Sequence, residues 1–168
     1  MLEEVLAILS STPEKLRREI AGFTPRQMKR RPAEGKWSVQ EVLAHLEDVE
    51  GLGMRDRVEA MVTQHIPRLA VFDQEARARE MRYNRVDSVR SFESFARKRR
   101  DNLKWLRKLQ PADLRRKGIH EGVGEITAGE MIYEWAFHDL GHLKQIMEVK
   151  RYALWPHMGN MQAFYKLQ

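Results

Sequence analysis

Two histidines four residues apart, His138 and His142, are the residues whose type and spacing most directly suggest chemistry. On an α-helix, residues four apart share one face, so the two imidazole rings can hold a single cation between them. Heptad steps place both rings on a stripe that begins with Met131 and Trp135, which predicts that they face a protein interior. Either each ring is hydrogen-bonded to a nearby side chain or carbonyl, or one divalent metal ion satisfies both.

The segment that contains this pair can also be compared with the metalloprotease pattern His-Glu-x-x-His, in which the glutamate is a general base. Here the second position is Asp139, one methylene shorter, and the surrounding helix differs. The comparison does not indicate a protease, and a third metal ligand has to come from another part of the chain.

A third histidine, His45, lies on the inward stripe of another predicted helix, together with Val42, Val49 and Leu52. Three neutral nitrogen donors plus an open position are typical of a catalytic zinc-like site, because closed structural sites use four protein ligands. In the open position a water can lose its proton near pH ~7, or a thiol can bind as a thiolate. All-nitrogen ligation suits Zn, Ni, Cu or Fe, and we favour Zn or Ni. The three histidines near predicted loops are not included: His65, His120 and His157.

Polar residues near these histidines are candidates for orienting them or for acting on a substrate. Glu134 lies one turn before His138, and Asp48 lies close to one turn after His45, so either can orient a ligand or form an ion pair. Asp139 lies off the stripe, and an ion pair is the favoured interpretation for it. Gln145 can bond a ligand, a substrate or another helix. Arg99 falls on an inward stripe, so it either meets a carboxylate such as Glu134 or lines the mouth of the site to hold an anion.

The elements that position these residues are predicted to be four main helices in one bundle. Apolar residues recur at helical spacing from Leu2 to Phe23, which indicates one helix kinked at Pro13 or two collinear pieces. Capping boxes predict helix starts at Thr24, Ser38 and Thr127. Helix two is predicted to cover residues 38–64, and a long crossover, 66–86, follows it. Helix three is predicted to cover 88–109, and a loop, 115–126, leads from it to helix four. The side chains of helix three that are predicted to face inward are Val89, Phe92, Ala96, Leu103 and Leu106. The apolar segment 152–165 is expected to fold over the bundle or into a partner subunit.

Composition agrees with a single all-α domain over residues 1–168. The chain is 42% hydrophobic and 32% charged, has no apolar run long enough for a membrane span, and begins with an acidic segment, so we expect a cytoplasmic protein. It has no cysteine, so any thiol in the chemistry must come from outside. The net charge of +6 raises nucleic acid as a partner, but the basic run 97–100 lacks aromatic neighbours and is better interpreted as a solvated helix face.

Two motifs in order carry a resemblance to a known family. Trp37-Ser38-x-x-Glu41-x-x-x-His45-Leu46, followed two helices later by His138-Asp139-x-x-His142-x-x-Gln145, resembles the DinB-like superfamily of damage-inducible and related bacterial proteins. The resemblance covers nearly the whole chain. It implies an up-up-down-down four-helix bundle, often a homodimer, with a divalent metal held by the histidines that match His45, His138 and His142.

The resemblance also implies a choice of functions. Similar proteins include enzymes that join low-molecular-weight thiols to electrophiles, a thiol-dependent isomerase, and proteins described as metal-dependent hydrolases. We therefore expect a metal-dependent enzyme acting on a small molecule, of thiol S-transferase or hydrolase type, with a low-molecular-weight thiol as a candidate cosubstrate. The alternative is a metal-binding stress-response or sensor protein without turnover. A nucleic-acid binder is the least favoured class.

Overall fold

The structure, a computed structural model, describes residues 2–167, and most of them are helical. In chain order the elements are α1 (Leu2–Ile20), α2 (Pro25–Lys29), α3 (Val39–Val49), a π-helical turn (Glu50–Arg55), α4 (Asp56–Thr63), β1 (Arg68–Leu69), α5 (Gln74–Glu80), α6 (Ser88–Leu106), α7 (Pro111–Leu114), β2 (Lys117–His120), β3 (Gly124–Thr127) and α8 (Ala128–Leu154). Short 3₁₀ turns at Tyr83–Arg85, Trp155–His157 and Gly159–Phe164 complete the fold.

Four long segments form a four-helix bundle, as predicted. Helix α1 packs against α8 and α6, and α3 packs against α6 and α8, so each long helix has two neighbours around a common core. The core includes Leu9, Leu43, Phe95, Trp135 and Ile146, whose side chains are almost completely buried. Burying one such side chain contributes roughly 1.5–3 kcal/mol. The long crossover between α4 and α6 is also present. None of the helices within residues 2–167 is long and apolar enough to cross a membrane.

The predicted helix starts are confirmed by their hydrogen bonds. The backbone N–H and the hydroxyl of Ser38 both donate to Glu41 Oε2, at 2.8 and 2.7 Å, and Ser38 Oγ accepts from the Glu41 N–H. Thr127 and Glu130 form the same capping box at the start of α8. Each cap satisfies backbone groups that a helix end leaves open and is worth about 1 kcal/mol. The two helices that carry the histidines therefore begin at defined residues.

Pro13 lies inside α1, which runs unbroken on both sides of it. Proline has no N–H, so the carbonyl of Leu9, four residues earlier, loses its usual helical partner. Arg99 Nη1 of α6 donates to this carbonyl at 2.9 Å. The gap that the proline leaves in α1 is thus filled from a neighbouring helix.

Helix two is not a uniform α-helix, because the π-helical turn separates α3 from α4. A π-turn holds more residues per turn than an α-helix, so side chains after it are rotated relative to the heptad stripe. Glu50 and Met54 are buried, whereas Leu52, which we predicted to be inward, is 49% exposed. Val89 was also predicted inward and is exposed, because it lies in the first turn of α6 at the end of the bundle.

The predicted loop 115–126 contains a hairpin instead. Strands β2 and β3 pair antiparallel, and β1 from the crossover adds to β2 in parallel, giving a three-stranded sheet. Gly118 fits here because a Cβ atom would lie 3.1 Å from Met61 Cγ and 3.3 Å from the Pro67 carbonyl oxygen. The prediction failed because strands this short carry too little apolar alternation to be detected.

The C-terminal segment after α8 forms two 3₁₀ turns that lie at the surface. No residue from 155 to 167 is buried, and Met161, Phe164 and Tyr165 are more than half exposed. The Lys166 carbonyl accepts from Arg151 Nη2 of α8 at 3.0 Å, so the segment turns back to the end of α8, and its covering of the bundle stays a prediction. The expectation of a partner subunit stays a prediction.

Candidate metal site

His45, His138 and His142 come together between α3 and α8. His138 Nε2 lies 3.0 Å from His45 Nε2 and 3.0 Å from His142 Nε2. His45 is fully buried, and the other two side chains are partly exposed. Among the residues that the structure describes, these are the ones that could hold a metal ion with three or more ligands.

The imidazole rings are held in the neutral form. Burial, together with the neighbouring rings, lowers the pKa of His45 to about 2 and that of His138 to about 3. Burial also lowers the pKa of His142, although the hydrogen bond to Gln145 and the charge of Asp139 oppose this shift. Metal ligation requires neutral imidazole, so at neutral pH the three rings are in the form that can bind a metal ion.

Gln145 fixes the tautomer of His142. His142 Nδ1 donates to Gln145 Oε1 at 2.8 Å, which leaves the lone pair on Nε2, the atom that faces His138. Because His142 Nε2 carries no proton, at most one of the two 3.0 Å contacts of His138 Nε2 can be a well-formed hydrogen bond, whereas one cation satisfies all three atoms. Two nitrogens each about 2.0–2.1 Å from one Zn²⁺ lie roughly 3.3 Å apart at the tetrahedral angle, so separations of 3.0 Å fit ligands of one ion. The donor set therefore fits a divalent metal.

Aromatic side chains surround His45 on the α3 side. The Trp37 ring lies edge-on to the His45 ring with centroids 5.0 Å apart, and the rings of Phe72 and Tyr83 lie 6.1 and 6.3 Å away. In the described chain, His45 Nδ1 and His138 Nδ1 are buried and have no hydrogen-bond partner. The rings are thus positioned mainly by packing, and Gln145 is the polar group that orients one of them.

Asp48 does not orient a histidine. It accepts from Arg77 Nε at 2.6 Å, from Arg77 Nη2 at 3.1 Å and from the Tyr83 hydroxyl at 2.7 Å. These bonds lower the pKa of Asp48 against the effect of its burial. Of the two interpretations that the sequence left open for Asp48, the structure shows the ion pair. This ion pair connects Arg77 of α5 to Asp48 of α3.

Arg99 is only 1% exposed and meets carboxylates, but Glu134 is not one of them. Its Nε and Nη2 atoms donate to Glu50 at 2.7 Å each, and its Nη1 and Nη2 atoms donate to Asp139. The expectation that Arg99 lines the mouth of the site is wrong, because the π-helical turn brings Glu50 inward. Asp139 is off the histidine stripe, as expected, and is buried in this ion pair.

Glu50 completes this buried network and was missed from the sequence. Besides Arg99, it accepts from Trp135 Nε1 at 3.0 Å and from Asn102 Nδ2 at 3.0 Å. Burial raises the pKa of Glu50, and Arg99 opposes this shift. The apolar periodicity of helix two did not indicate that Glu50 is buried, because a regular α-helix would place Glu50 outside the stripe of His45 and Val49.

Glu134 lies one turn before His138 on α8 and is exposed. The protein around its carboxyl group raises the pKa of Glu134, and the charge of Asp139 adds to this, whereas Arg57 lowers it. A carboxyl group with a raised pKa, one helical turn from a candidate metal ligand, is a candidate for proton transfer.

Comparisons with known proteins agree with the fold. The family model of the DinB superfamily matches residues 8–146. A protein of Oceanobacillus iheyensis named "Putative metal-dependent hydrolase" is 25% identical over 156 residues, 92% of this chain and 89% of that protein. The structure of YfiT from Bacillus subtilis, described as "a probable metal-dependent hydrolase with an unusual four-helix bundle topology", has a TM-score of 0.82 at 21% identity and covers 89% of this chain and 86% of its own. The chain belongs to the DinB superfamily.

Proposed function

We propose that this chain binds one divalent metal ion, Zn or Ni, through His45, His138 and His142, and that it is an enzyme acting on a small molecule. The reaction is of hydrolase or thiol S-transferase type, and a low-molecular-weight thiol is the cosubstrate in the second case. The observation that carries the proposal is the convergence of three neutral imidazole rings, with His138 Nε2 3.0 Å from the Nε2 atoms of both His45 and His142 and all three ligand atoms within 4.8 Å of one another. The name of the Oceanobacillus relative supports the metal-dependent class.

A bound ion would supply Lewis-acid chemistry and an open position for water or a thiol. The chain's own residues supply the rest. Gln145 holds His142 in the tautomer that presents Nε2, and burial keeps all three rings unprotonated at neutral pH. Glu134, with its raised pKa, is the candidate to accept or donate a proton at its carboxyl group. Arg99 holds the surrounding helices and is too deeply buried to touch a substrate.

Access to the cluster favours an enzyme over a sealed sensor site. His138 and His142 are partly exposed, and the C-terminal segment around Trp155 lies at the surface without any buried residue. Gly141, next to His142, has nothing within 4 Å of where a Cβ atom would lie. A substrate can therefore approach the histidines from the α8 side, which a purely storage or sensing site does not need.

We also propose that the chain forms a homodimer. The outer face of the first half of α8 carries an exposed apolar patch made of Tyr133, Phe137 and Leu140. Phe137 is 79% exposed, and a helix face of this kind is typical of a surface that a second helix covers. Sedimentation of the chain and of a Phe137→Glu/Leu140→Glu variant tests this: the variant should be a monomer.

The test of the metal site is the metal content of protein purified without an affinity tag. The native chain should hold close to one equivalent of divalent metal, and His142→Ala should hold little. His65→Ala is the matched control, because His65 is exposed and lies outside the cluster. Activity in a panel of hydrolase and thiol-transfer substrates should then be lost on chelation and restored by the same metal.

A folded native chain that takes up neither Zn nor Ni would contradict the metal site, and equal metal content in His142→Ala would contradict this ligand set. Full metal occupancy without any activity in the panel would favour the non-catalytic metal-binding protein instead.

A further inference from the structure

A cleft of about 270 Å³ lies beside the histidine cluster, between the chain that leads into α3 and the side of α8. Trp37, which packs against His45, and Gln145, which bonds His142, both line it. The cleft therefore borders the cluster on two of its sides. Its volume lies just below the usual range of about 300–1,000 Å³ for ligand pockets, which suits a small molecule or one end of a larger one.

The charge of this cleft is positive. Lys36 and Lys144 line it, and neither ammonium group has a carboxylate partner among residues 2–167. Glu148 also lines the cleft, but its Oε1 forms an ion pair with Arg151, so its charge is balanced. Two unpaired positive charges at the edge of one small cleft attract an anion.

The rest of the lining suits an organic ligand rather than a bare inorganic ion. The rings of Trp37 and Tyr152, with Val149, provide apolar surface. Glu148 Oε2 is buried and has no hydrogen-bond partner in the described chain, so it is available to accept from an N–H or O–H group. An unsatisfied buried oxygen is costly, and a donor on the ligand would remove that cost.

We propose that this cleft holds the anionic end of the substrate, a carboxylate, phosphate or sulfonate group between Lys36 and Lys144. The apolar part of the same molecule lies on Trp37 and reaches toward the histidines, and a donor group bonds Glu148. This inference rests on the proposed function, because it names the class of substrate for that site.

The test compares two dyes with the same ring system and different charge. The probe is 8-anilinonaphthalene-1-sulfonate, and the neutral control is N-phenyl-1-naphthylamine; binding of each is measured by fluorescence titration at low salt. Each exposed ion pair is worth a fraction of 1 kcal/mol, so Lys36→Gln and Lys144→Gln should each weaken binding of the sulfonate about 3-fold, and the double variant about 10-fold. Binding of the neutral dye should not change. Lys104→Gln is the control, because Lys104 is exposed and lies far from the cleft in sequence, on α6.

Three results would overturn the proposal: sulfonate binding that the double variant keeps, equal loss of both dyes, or an equal loss in Lys104→Gln. Displacement of the bound sulfonate by benzoate or by inorganic phosphate then identifies the anion that fits best. His142→Ala separates this proposal from the metal site, because it removes a ligand of the cluster and keeps both lysines. Lysine-dependent dye binding in a chain that takes up no metal would support the anion cleft and contradict the metal function.

Discussion

Replacing Arg99 by methionine should be strongly destabilising. Arg99 is the positive partner of both Glu50 and Asp139, and all three side chains are only 1% exposed. Methionine keeps much of the side-chain volume but leaves two carboxylates buried without a counter-charge. Removing one partner of a buried ion pair typically costs 3–5 kcal/mol, so Arg99→Met should lower the free energy of unfolding by about 4 kcal/mol.

The assay is urea unfolding of the metal-free protein at pH 7, followed by circular dichroism at 222 nm. Arg100→Met is the matched control, because the next residue on α6 is exposed and a surface change of this kind stays within about 0.5 kcal/mol. In the Asp139→Asn background, where one carboxylate is already neutral, Arg99→Met should cost at least ~1 kcal/mol less, as measured by a double-mutant cycle. Equal, small effects of Arg99→Met and Arg100→Met would refute the reasoning.

Two further predictions concern acid and the π-helical turn. In the metal-free protein the folded-state pKa values of His45 and His138, about 2 and 3, lie below the ordinary value, so stability is full above pH ~6.5 and is lost as the pH falls. Between pH 7 and pH 5 the loss should be about 2 kcal/mol per histidine, measured by urea unfolding with a chelator present; a His45→Gln/His138→Gln variant with the same pH dependence would contradict the assignment. At the turn, a Cβ atom on Gly53 would lie 2.1 Å from Val49 Cγ2, whereas one on Gly51 meets nothing within 4 Å. Gly53→Ala should therefore cost about 1–3 kcal/mol and Gly51→Ala should be neutral or stabilising, and equal thermal midpoints for the two variants would show that Val49 gives way.

The main helices and the histidine cluster could be predicted because their signals are local and strong. The capping boxes at Ser38 and Thr127 fix where the two histidine-bearing helices begin, and helical periodicity then fixes which way the rings point. The four-residue spacing of His138 and His142 places them on one face before any tertiary contact is known. The position of Gln145 next to the histidines could be predicted in the same way, because it lies three residues after His142 on the same stripe.

The buried network could not be predicted, because it depends on a departure from regular helix geometry. A heptad stripe assumes 3.6 residues per turn throughout, and the π-helical turn breaks that assumption after Val49, so Glu50 turned inward and Leu52 outward. Of the two alternatives predicted for Arg99, the inward ion pair with a carboxylate is confirmed, but its partners are Glu50 and Asp139 and not Glu134. The hairpin of β2 and β3 was missed for a different reason, since four-residue strands show almost no periodicity.

The bonds of Arg99 also bear on how the bundle folds. One guanidinium group on α6 bonds the Leu9 carbonyl of α1, Glu50 of the π-helical turn and Asp139 of α8, so all four long segments meet at it. If only some of these segments have docked, at least one charged group is buried without its partner. A partly assembled bundle is therefore less stable than the complete one, and unfolding should be a single cooperative transition of all four segments. The histidines of α3 and α8 should then keep their spacing until that transition.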